Sequence, residues 1–548
     1  MSSPPPPPSS TFPWHLLSGG AGLALLAALY LLPGLIGHEP WRGDDVRHIA
    51  IVQGMLNGEP LLFPHLAGEP ASLFPPLYYW VSALLVLLTG WLLPVHDAAR
   101  LATALFAALT VFWLTRASTR LNGRHTRVAA ALLTLGTLGL VIHVHEAQPM
   151  VALMAMQAMC LAGLARVPTA PVKGGLQAAC GASLAFLAAG PFGLLITLPL
   201  FLVCAVACPE CRDPRASGGL ILGLSLALGL SSLWPVTLSH LAPELLTLWW
   251  DEQWVGFMRE VARIEALPAV LGQTGWSLWP LWPIALWTLW RARKQRGTQS
   301  ILLPLAAFLL ALAGMLAMGV FKPEWMLPLI APLALLAAAG VPSLRRGAAN
   351  AFDWFAVMTF SVFGILVWLA WSAQVIAWPP GLARSLARSA PDFVPGNAGL
   401  QALIGLLLCA VWLALVIRLP RTPDRGPVNW AMGMTMLWCL TVTLLMPWFD
   451  HDRNYRPLAE SLSIALAGES SGCVAAMNLG NSHRAAFDYF AGIRTHSVDD
   501  NETSCRFLLV REDDFPMNIQ PLWQWQQIWE DRHGGGKRLE VFRLYRRD

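Results

Sequence analysis

Charge is what this chain has least of. Of its 548 residues only 13% are Asp, Glu, Lys or Arg, against about 25% in ordinary globular chains. Apolar residues make up 55%, so a soluble protein of this length is excluded. The net charge is only +4 and the basic residues are scattered in short loops, which excludes a nucleic-acid-binding stripe. Nine cysteines show no zinc spacing. Cys160, Cys180, Cys409 and Cys439 lie in apolar runs, where a free thiol behaves as a small hydrophobe. Cys204, Cys208 and Cys211 read as packing or loop residues at a helix end. The opening MSSPPPPPSS lacks a positive region and a cleavage site, so residues 1–14 read as a disordered leader rather than a signal peptide. No internal repeat is found and the charges sit at the ends of apolar segments, which speaks against a transporter.

What is present is a series of apolar segments near the ~20 residues that a bilayer crossing needs. Thirteen are expected, at 15–37, 98–118, 128–144, 150–166, 176–190, 191–207, 217–237, 271–290, 300–320, 326–341, 353–373, 399–417 and 429–448. The fold class is therefore an all-α polytopic membrane protein with a small C-terminal α/β soluble domain. The basic loops set its orientation. Arg116, Arg120, Arg124 and Arg127 form one cluster, Arg212 and Arg215 a second, and Arg291, Arg293, Lys294 and Arg296 a third. Arg345 with Arg346, and Arg418 with Arg421 and Arg425, complete the set. Thirteen crossings from a cytoplasmic N-terminus put all of these inside. The loops 38–97 and 238–270, Lys322 and the domain 449–548 then fall outside. This solution requires 76–94, which is apolar enough to cross, to be a juxtamembrane or re-entrant helix, tolerated where protein or a cavity covers it.

The densest chemistry lies between Trp41 and Trp80. Asp44 and Asp45 follow a hydrophobic span directly, and ionisable groups at a membrane exit are functional candidates. Asp44, Arg47 and His48 share one face of a helix, where a neighbouring cation would keep the carboxylate charged. The plainer reading is a solvated helix start with Asp44 as N-cap and Asp45 favoured by the dipole. Further on, His143, His145 and Glu146 could hold a divalent metal, a sugar amine or a phosphate. They could equally be a polar cap on a helix end, since the two histidines do not share a helical face well.

The order Asp44-Asp45-x-Arg47-His48, an amphipathic helix, Gly68-x-Pro70 and Pro75-Pro76-Leu77-Tyr78-Tyr79-Trp80 resembles the first external loop of a bacterial membrane glycosyltransferase family. That family, of the GT-C type, contains the lipid A aminoarabinose transferases and is related to the protein O-mannosyltransferases. The resemblance implies a sugar transferase with a polyprenyl (undecaprenyl) phosphate donor and a lipid A, glycan or protein acceptor at the periplasmic face of the inner membrane. It makes Asp44, with Asp45 beside it, the catalytic carboxylate. Arg47, His48, Tyr78, Tyr79, His143, His145, Glu146, Glu252 and Lys322 become candidate substrate-binding residues. No cofactor is required, with a divalent metal as an open alternative.

The chain departs from the family pattern at several points. Leu73-Phe74 stands where Glu-Lys is usual, Gln148-Pro149-Met150 replaces an acidic motif, and Ala189 replaces a lysine before Gly190-Pro191. Gln253 replaces a histidine after Glu252 in the Trp-rich amphipathic stretch 238–270, a composition that marks a membrane interface. These losses keep a degenerate, non-catalytic glycolipid binder open as an alternative. Lys322 survives, and an outward-facing lysine suits a phosphate. In the last hundred residues 473–479, 505–511 and 538–547 read as strands and 483–492 as a helix. Cys473 and Cys505 each open a strand and could pair outside the cytoplasm.

Overall fold

The computed structural model describes residues 20–41, 43–71, 74–260, 267–294, 297–318, 322–391, 393–420, 422, 424–469, 472–498, 504–512, 525–534 and 539–547, and over 254–271 the backbone alone. The leader, the start of the first span, Leu73, Arg263, Glu265, Arg296, Phe321 and Arg421 lie outside the described residues.

Among the described residues twenty α-helices follow in order. They are α1 (Gly20–Leu31), α2 (Asp44–Leu56), α3 (Leu77–Thr89), α4 (Val95–Asn122), α5 (Arg127–Leu135), α6 (Pro149–Leu164) and α7 (Pro171–Leu195). Next come α8 (Pro199–Ala207), α9 (Pro214–Leu241), α10 (Pro243–Glu260), α11 (Leu267–Ser277), α12 (Leu281–Arg291), α13 (Gln299–Met318) and α14 (Leu327–Gly340). The last are α15 (Arg346–Val375), α16 (Pro380–Ser389), α17 (Ala398–Arg418), α18 (Arg425–Arg453), α19 (Arg456–Ala467) and α20 (Asn481–Ala491).

Among the described residues, eight helices are long and apolar enough to cross a membrane. They correspond to eight of the expected spans. The other five map to helices that are short or interrupted, so the count of thirteen is not reproduced helix by helix. The expected span 128–144 breaks after Leu135, where Gly136 lies against the Trp430 indole and the chain enters a 3-10 turn at Leu138–Leu140. The span 271–290 is divided between α11 and α12 around Pro280. Helix α3, within the segment expected not to cross, is 13 residues long. At 1.5 Å per residue this is about 20 Å, short of the roughly 30 Å hydrocarbon core.

The bundle is built around α6 and α14, both buried over most of their length, while α15 and α17 are buried over little of theirs. Small residues bring the central helices together. There is no room for a Cβ at Gly163 or Gly181, where α6 and α7 meet, or at Gly175 and Gly219, where α7 meets α9. Close backbone approach of this kind drives helix association where lipid supplies no hydrophobic force. Helix α7 breaks at Ala189-Gly190, with Gly190 at φ +57, a conformation that costs an L-residue energy.

Helix α18 continues to Arg453 and hands over to a small α/β unit. Its five strands are β3 (Val474–Met477), β4 (Thr495–Ser497), β5 (Phe507–Glu512), β6 (Trp525–His533) and β7 (Glu540–Arg547), in the order β4-β3-β5-β7-β6. Strands β3, β4 and β5 run parallel and β7 is antiparallel to both β5 and β6. Strands β4 and β6 and helix α19 were not expected from the sequence. Cys473 and Cys505 are joined by a disulfide, with Cα atoms 4.9 Å apart. An earlier two-stranded hairpin, β1 (His65–Leu66) with β2 (Glu69–Pro70), lies in the segment between α2 and α3.

Candidate functional site

Helix α2 begins at Gly43, whose φ of +127 turns the chain out of the preceding segment. Asp44 and Asp45 occupy the first turn, where carboxylates favour the helix dipole. The N-cap is Gly43, without a side-chain capping bond, so neither aspartate is the N-cap. The two carboxylates diverge into different surroundings.

Asp45 is buried against Arg100 of α4. Its oxygens accept from Arg100 Nη2 at 2.6 Å and Nε at 3.2 Å, and from the Ala147 N–H at 2.7 Å. Arg100 has no exposed surface and also donates to the carbonyls of His38 and Glu39 and to Asp97. Burial opposes the Asp45 charge, but Arg100 outweighs it and holds the carboxyl below its usual value. One guanidinium thus ties the segment before α2 to α4 and to the loop before α6.

Asp44 has other partners. Arg47 Nη2 lies 2.7 Å from its Oδ1, one helical turn away, and both side chains are partly exposed. Burial again opposes the charge, yet His48, Arg47 and Lys322 lower the Asp44 value by more. His48 is itself pushed down to about 3 by burial and Arg47, so at neutral pH the cations supporting Asp44 are Arg47 and Lys322. Lys322 comes from the loop before α14 and is exposed. The residue two places on, Glu324, is buried, and burial and Asp44 raise its carboxyl.

Glu146 completes the acidic group. Burial, then Asp45 and Asp44, push its carboxyl up to about 8, whereas the Asp44 carboxyl is held below its usual value. His143 lies 3.9 Å from the Glu146 carboxylate and is pushed down to about 4 by burial.

Most of the remaining expected residues are engaged within the protein. His48 meets the Tyr79 hydroxyl at 2.9 Å, and the Tyr78 hydroxyl meets Thr103 at 2.7 Å. Thr103 in turn donates to the Glu146 carbonyl at 2.8 Å. Both tyrosines are buried and their hydroxyls are engaged within the protein. His145 points away from Glu146. Its Nε2 meets the Tyr30 carbonyl at 2.8 Å and its ring stacks on Trp438. The expected metal trio therefore does not converge, and among the described residues no group of three or more His, Cys, Asp or Glu is placed to hold a metal. Glu252 is exposed on α10. Its neighbour Gln253 and buried Trp249 lie instead against Gly190 and, through it, near Pro75.

Arg100, Thr103, Gln148 and Glu324 were not singled out from the sequence as site residues. Arg100 and Asp97 were visible as charges at the head of an apolar span, and Glu324 as a carboxylate two residues from Lys322. Gln148, the N-cap of α6, lies beside Asp44 where an acidic residue was looked for. Phe74 stacks on Trp325, which also meets Phe192, joining the first loop to the Lys322 loop and α7.

The C-terminal unit packs on this region directly. Helix α20 lies along α2. Arg484 pairs with Glu69 at 2.8 Å, Arg494 with Glu59 at 3.0 Å, and Arg456 holds both Glu39 oxygens at 2.8 and 3.0 Å. His96, at the head of α4, meets the Tyr489 hydroxyl at 2.9 Å.

No family model matches the chain. In sequence it is related to two curated undecaprenyl phosphate-α-4-amino-4-deoxy-L-arabinose arabinosyl transferases. That of Edwardsiella ictaluri is 31% identical over 348 residues, 60% of this chain and 60% of the relative's length. That of Pectobacterium atrosepticum is 28% identical over 419 residues, 72% of this chain and 69% of the relative. Among solved structures, ArnT from Cupriavidus metallidurans bound to undecaprenyl phosphate superposes with a TM-score of 0.66 at 16% identity. That alignment covers 97% of this chain and 98% of the other. The apo form of the same protein gives 0.65. The chain thus has the ArnT-like fold, a multi-pass membrane architecture of the GT-C type.

Proposed function

We propose, from the relationship to arabinosyl transferases and the charges around Asp44, that the protein is a membrane glycosyltransferase. It moves a sugar from a polyprenyl (undecaprenyl) phosphate donor to a lipid A, glycan or protein acceptor. The observation that carries the reading is that Lys322, from the loop before α14, acts on the partly exposed Asp44–Arg47 pair of α2. Transfer at a lipid-linked sugar needs a base for the acceptor and a cation for the departing phosphate. Asp44, ionised, takes the proton of an acceptor hydroxyl or orients it. The acceptor oxygen attacks the anomeric carbon, the bond from that carbon to the phosphate oxygen breaks, and polyprenyl phosphate leaves with the bonding pair. Lys322, with Arg47 beside it, steadies that phosphate. Direct displacement of this kind inverts the anomeric centre.

Asp45 is assigned a positioning role through Arg100, and Tyr78, Tyr79, His48 and His145 the role of holding the surrounding loops. Glu146, protonated, is able to donate a hydrogen bond to substrate, and two carboxyl groups with values driven apart are a pattern that separates acid from base roles. Glu252 is left as a contact at the rim.

The test is mass spectrometry of envelope lipids and glycans from cells lacking the protein, complemented with wild type or with Asp44→Asn. A sugar adduct restored only by wild type supports transfer. Unchanged envelopes in all cells favour the binder reading, to which Ala189 in the place of a lysine lends weight.

The proposed site is the inner membrane of a bacterium, with the N-terminus cytoplasmic and the unit 449–548 periplasmic, following the basic loops. Membrane-impermeant thiol labelling from outside should modify Glu460→Cys and spare Arg293→Cys. The reverse would overturn the orientation.

A further inference from the structure

At the opposite end of α4 from Arg100, a cavity of about 490 Å³ is lined by Arg116, Arg124 and Arg127 with Thr115, Thr119 and Phe112. Three guanidinium groups around one space repel one another unless an anion answers them. Among the described residues no ion pair involves any of the three. Asp424, on the neighbouring loop, is lowered by His125 against the burial that raises it. Residues 1–19, which precede α1, contain no carboxylate. By contrast Arg120, in the same cluster of sequence, turns inward and donates to the Ala162 carbonyl at 2.6 Å. The cluster is therefore divided between one structural arginine and three that face a common opening.

The surface leading to this opening is apolar. Leu105, Ala108, Phe112 and Arg116 are all exposed on α4. Their spacing of three, four and four residues places them in one stripe along the helix. The stripe runs down a membrane-spanning helix and ends on Arg116, whose guanidinium lies over the Phe112 ring at 5.1 Å. An acyl chain fits the apolar stripe and a phosphate fits the arginines and the two threonine hydroxyls. Arginine binds phosphate oxygens through paired N–H donors, and basic pockets between membrane helices bind anionic headgroups.

We propose that this cavity is a binding site for an anionic phospholipid of the leaflet at that end of α4, with the phosphate held by Arg116, Arg124 and Arg127. In the orientation proposed above that leaflet is the cytoplasmic one. The site is separate from the sugar-transfer reading, and its test in detergent depends on neither the orientation nor the activity.

The experiment is native mass spectrometry of the full-length protein in detergent, titrated with phosphatidylglycerol or cardiolipin, with phosphatidylcholine, or with inorganic pyrophosphate. Saturable adducts are expected with the anionic lipids and none with phosphatidylcholine or pyrophosphate. Arg116→Gln, Arg124→Gln and Arg127→Gln should each weaken binding roughly five-fold, in line with the usual worth of one basic residue at a lipid surface. Should the triple Gln variant fail to fold, the triple Lys variant provides the second arm. It keeps the charge, loses the paired donors, and should bind more weakly than wild type but in the same order of lipids. Arg384→Gln with Arg388→Gln, on exposed α16, should leave binding unchanged. Equal adducts in wild type and the folded triple Gln variant would overturn the site. Binding of pyrophosphate as tight as that of the lipids would also overturn it, by making the ligand a soluble phosphate.

Discussion

Around Asp45 every charge is answered inside the fold, whereas around Asp44 the charges are gathered but left open. Both carboxylates sit in the same turn of α2, yet Asp45 meets a fully buried arginine and a backbone N–H. Asp44 meets one partly exposed arginine at 2.7 Å and a more distant, exposed lysine. Buried ions persist only when geometry satisfies them completely, so the Asp45 side is sealed and reads as architecture. A partly exposed carboxylate, held ionised by Arg47 on its own helix and by Lys322 on another loop, stays open to a substrate. The adjacent residues therefore separate holding from chemistry.

The sharpest way to break this comparison is Asp44→Asn, which keeps size and hydrogen bonding but removes the charge. Transfer should fall by about 10²–10⁴-fold with helical content and melting temperature retained, as read by sugar-transfer assay and circular dichroism. Full activity in that variant would move the chemistry to Glu146. The complementary variant, Arg100→Ala, strands Asp45 and should destabilise the protein by about 3–5 kcal/mol. Thermal unfolding in detergent would register this as a large loss of melting temperature. A protein of unchanged stability would mean that the buried pair is not structural.

Lys322→Ala should raise the donor KM roughly ten-fold, the scale of one hydrogen bond to a charged group. The loss should shrink at high donor concentration if the lysine acts by binding. A pure fall in kcat would assign it to the transition state instead. Glu146 gives a pH dependence of definite sign. Its folded value, about 8, lies above the ordinary 4.5, so between those values the folded state holds the proton more tightly than the unfolded chain. Its contribution to stability is fully present below pH about 4.5 and is lost as pH rises towards about 8. Glu146→Gln should flatten that part of the stability–pH curve relative to wild type, and parallel curves would refute the raised value. The smallest effect belongs to Glu252→Gln. At its exposed position stability should change by no more than about 0.5 kcal/mol, and a large loss of transfer would bring α10 into the site.

How much of this was legible beforehand depended on whether a feature is local. The i, i+3 pair Asp44–Arg47 follows from helix geometry alone, whereas 76–94 was set aside as a crossing only because the basic loops required it. His145 shows the opposite case. Its sequence neighbours suggested a metal cluster with Glu146, but its ring is drawn to the Tyr30 carbonyl and the Trp438 face, which lie far off in sequence. The helix breaks near Gly136 and Pro280 were likewise obscured, since hydropathy averages over a window and does not register a backbone turn.

By itself the sequence determined that this is a multi-pass membrane protein and which segments carry the charges. Those properties follow from composition and period, because a bilayer selects for apolar length whatever the packing. Only the tertiary structure decided that Arg100 answers Asp45, that Lys322 and Glu324 come up to Asp44, and that the C-terminal unit clamps the first loop through Arg484, Arg494 and Arg456. It also decided that three arginines of one basic cluster share a cavity while the fourth does not. Each of these joins residues far apart in the chain or divides residues close together. A charge selects its partner by distance in space, and that distance is set by the packing of the whole bundle.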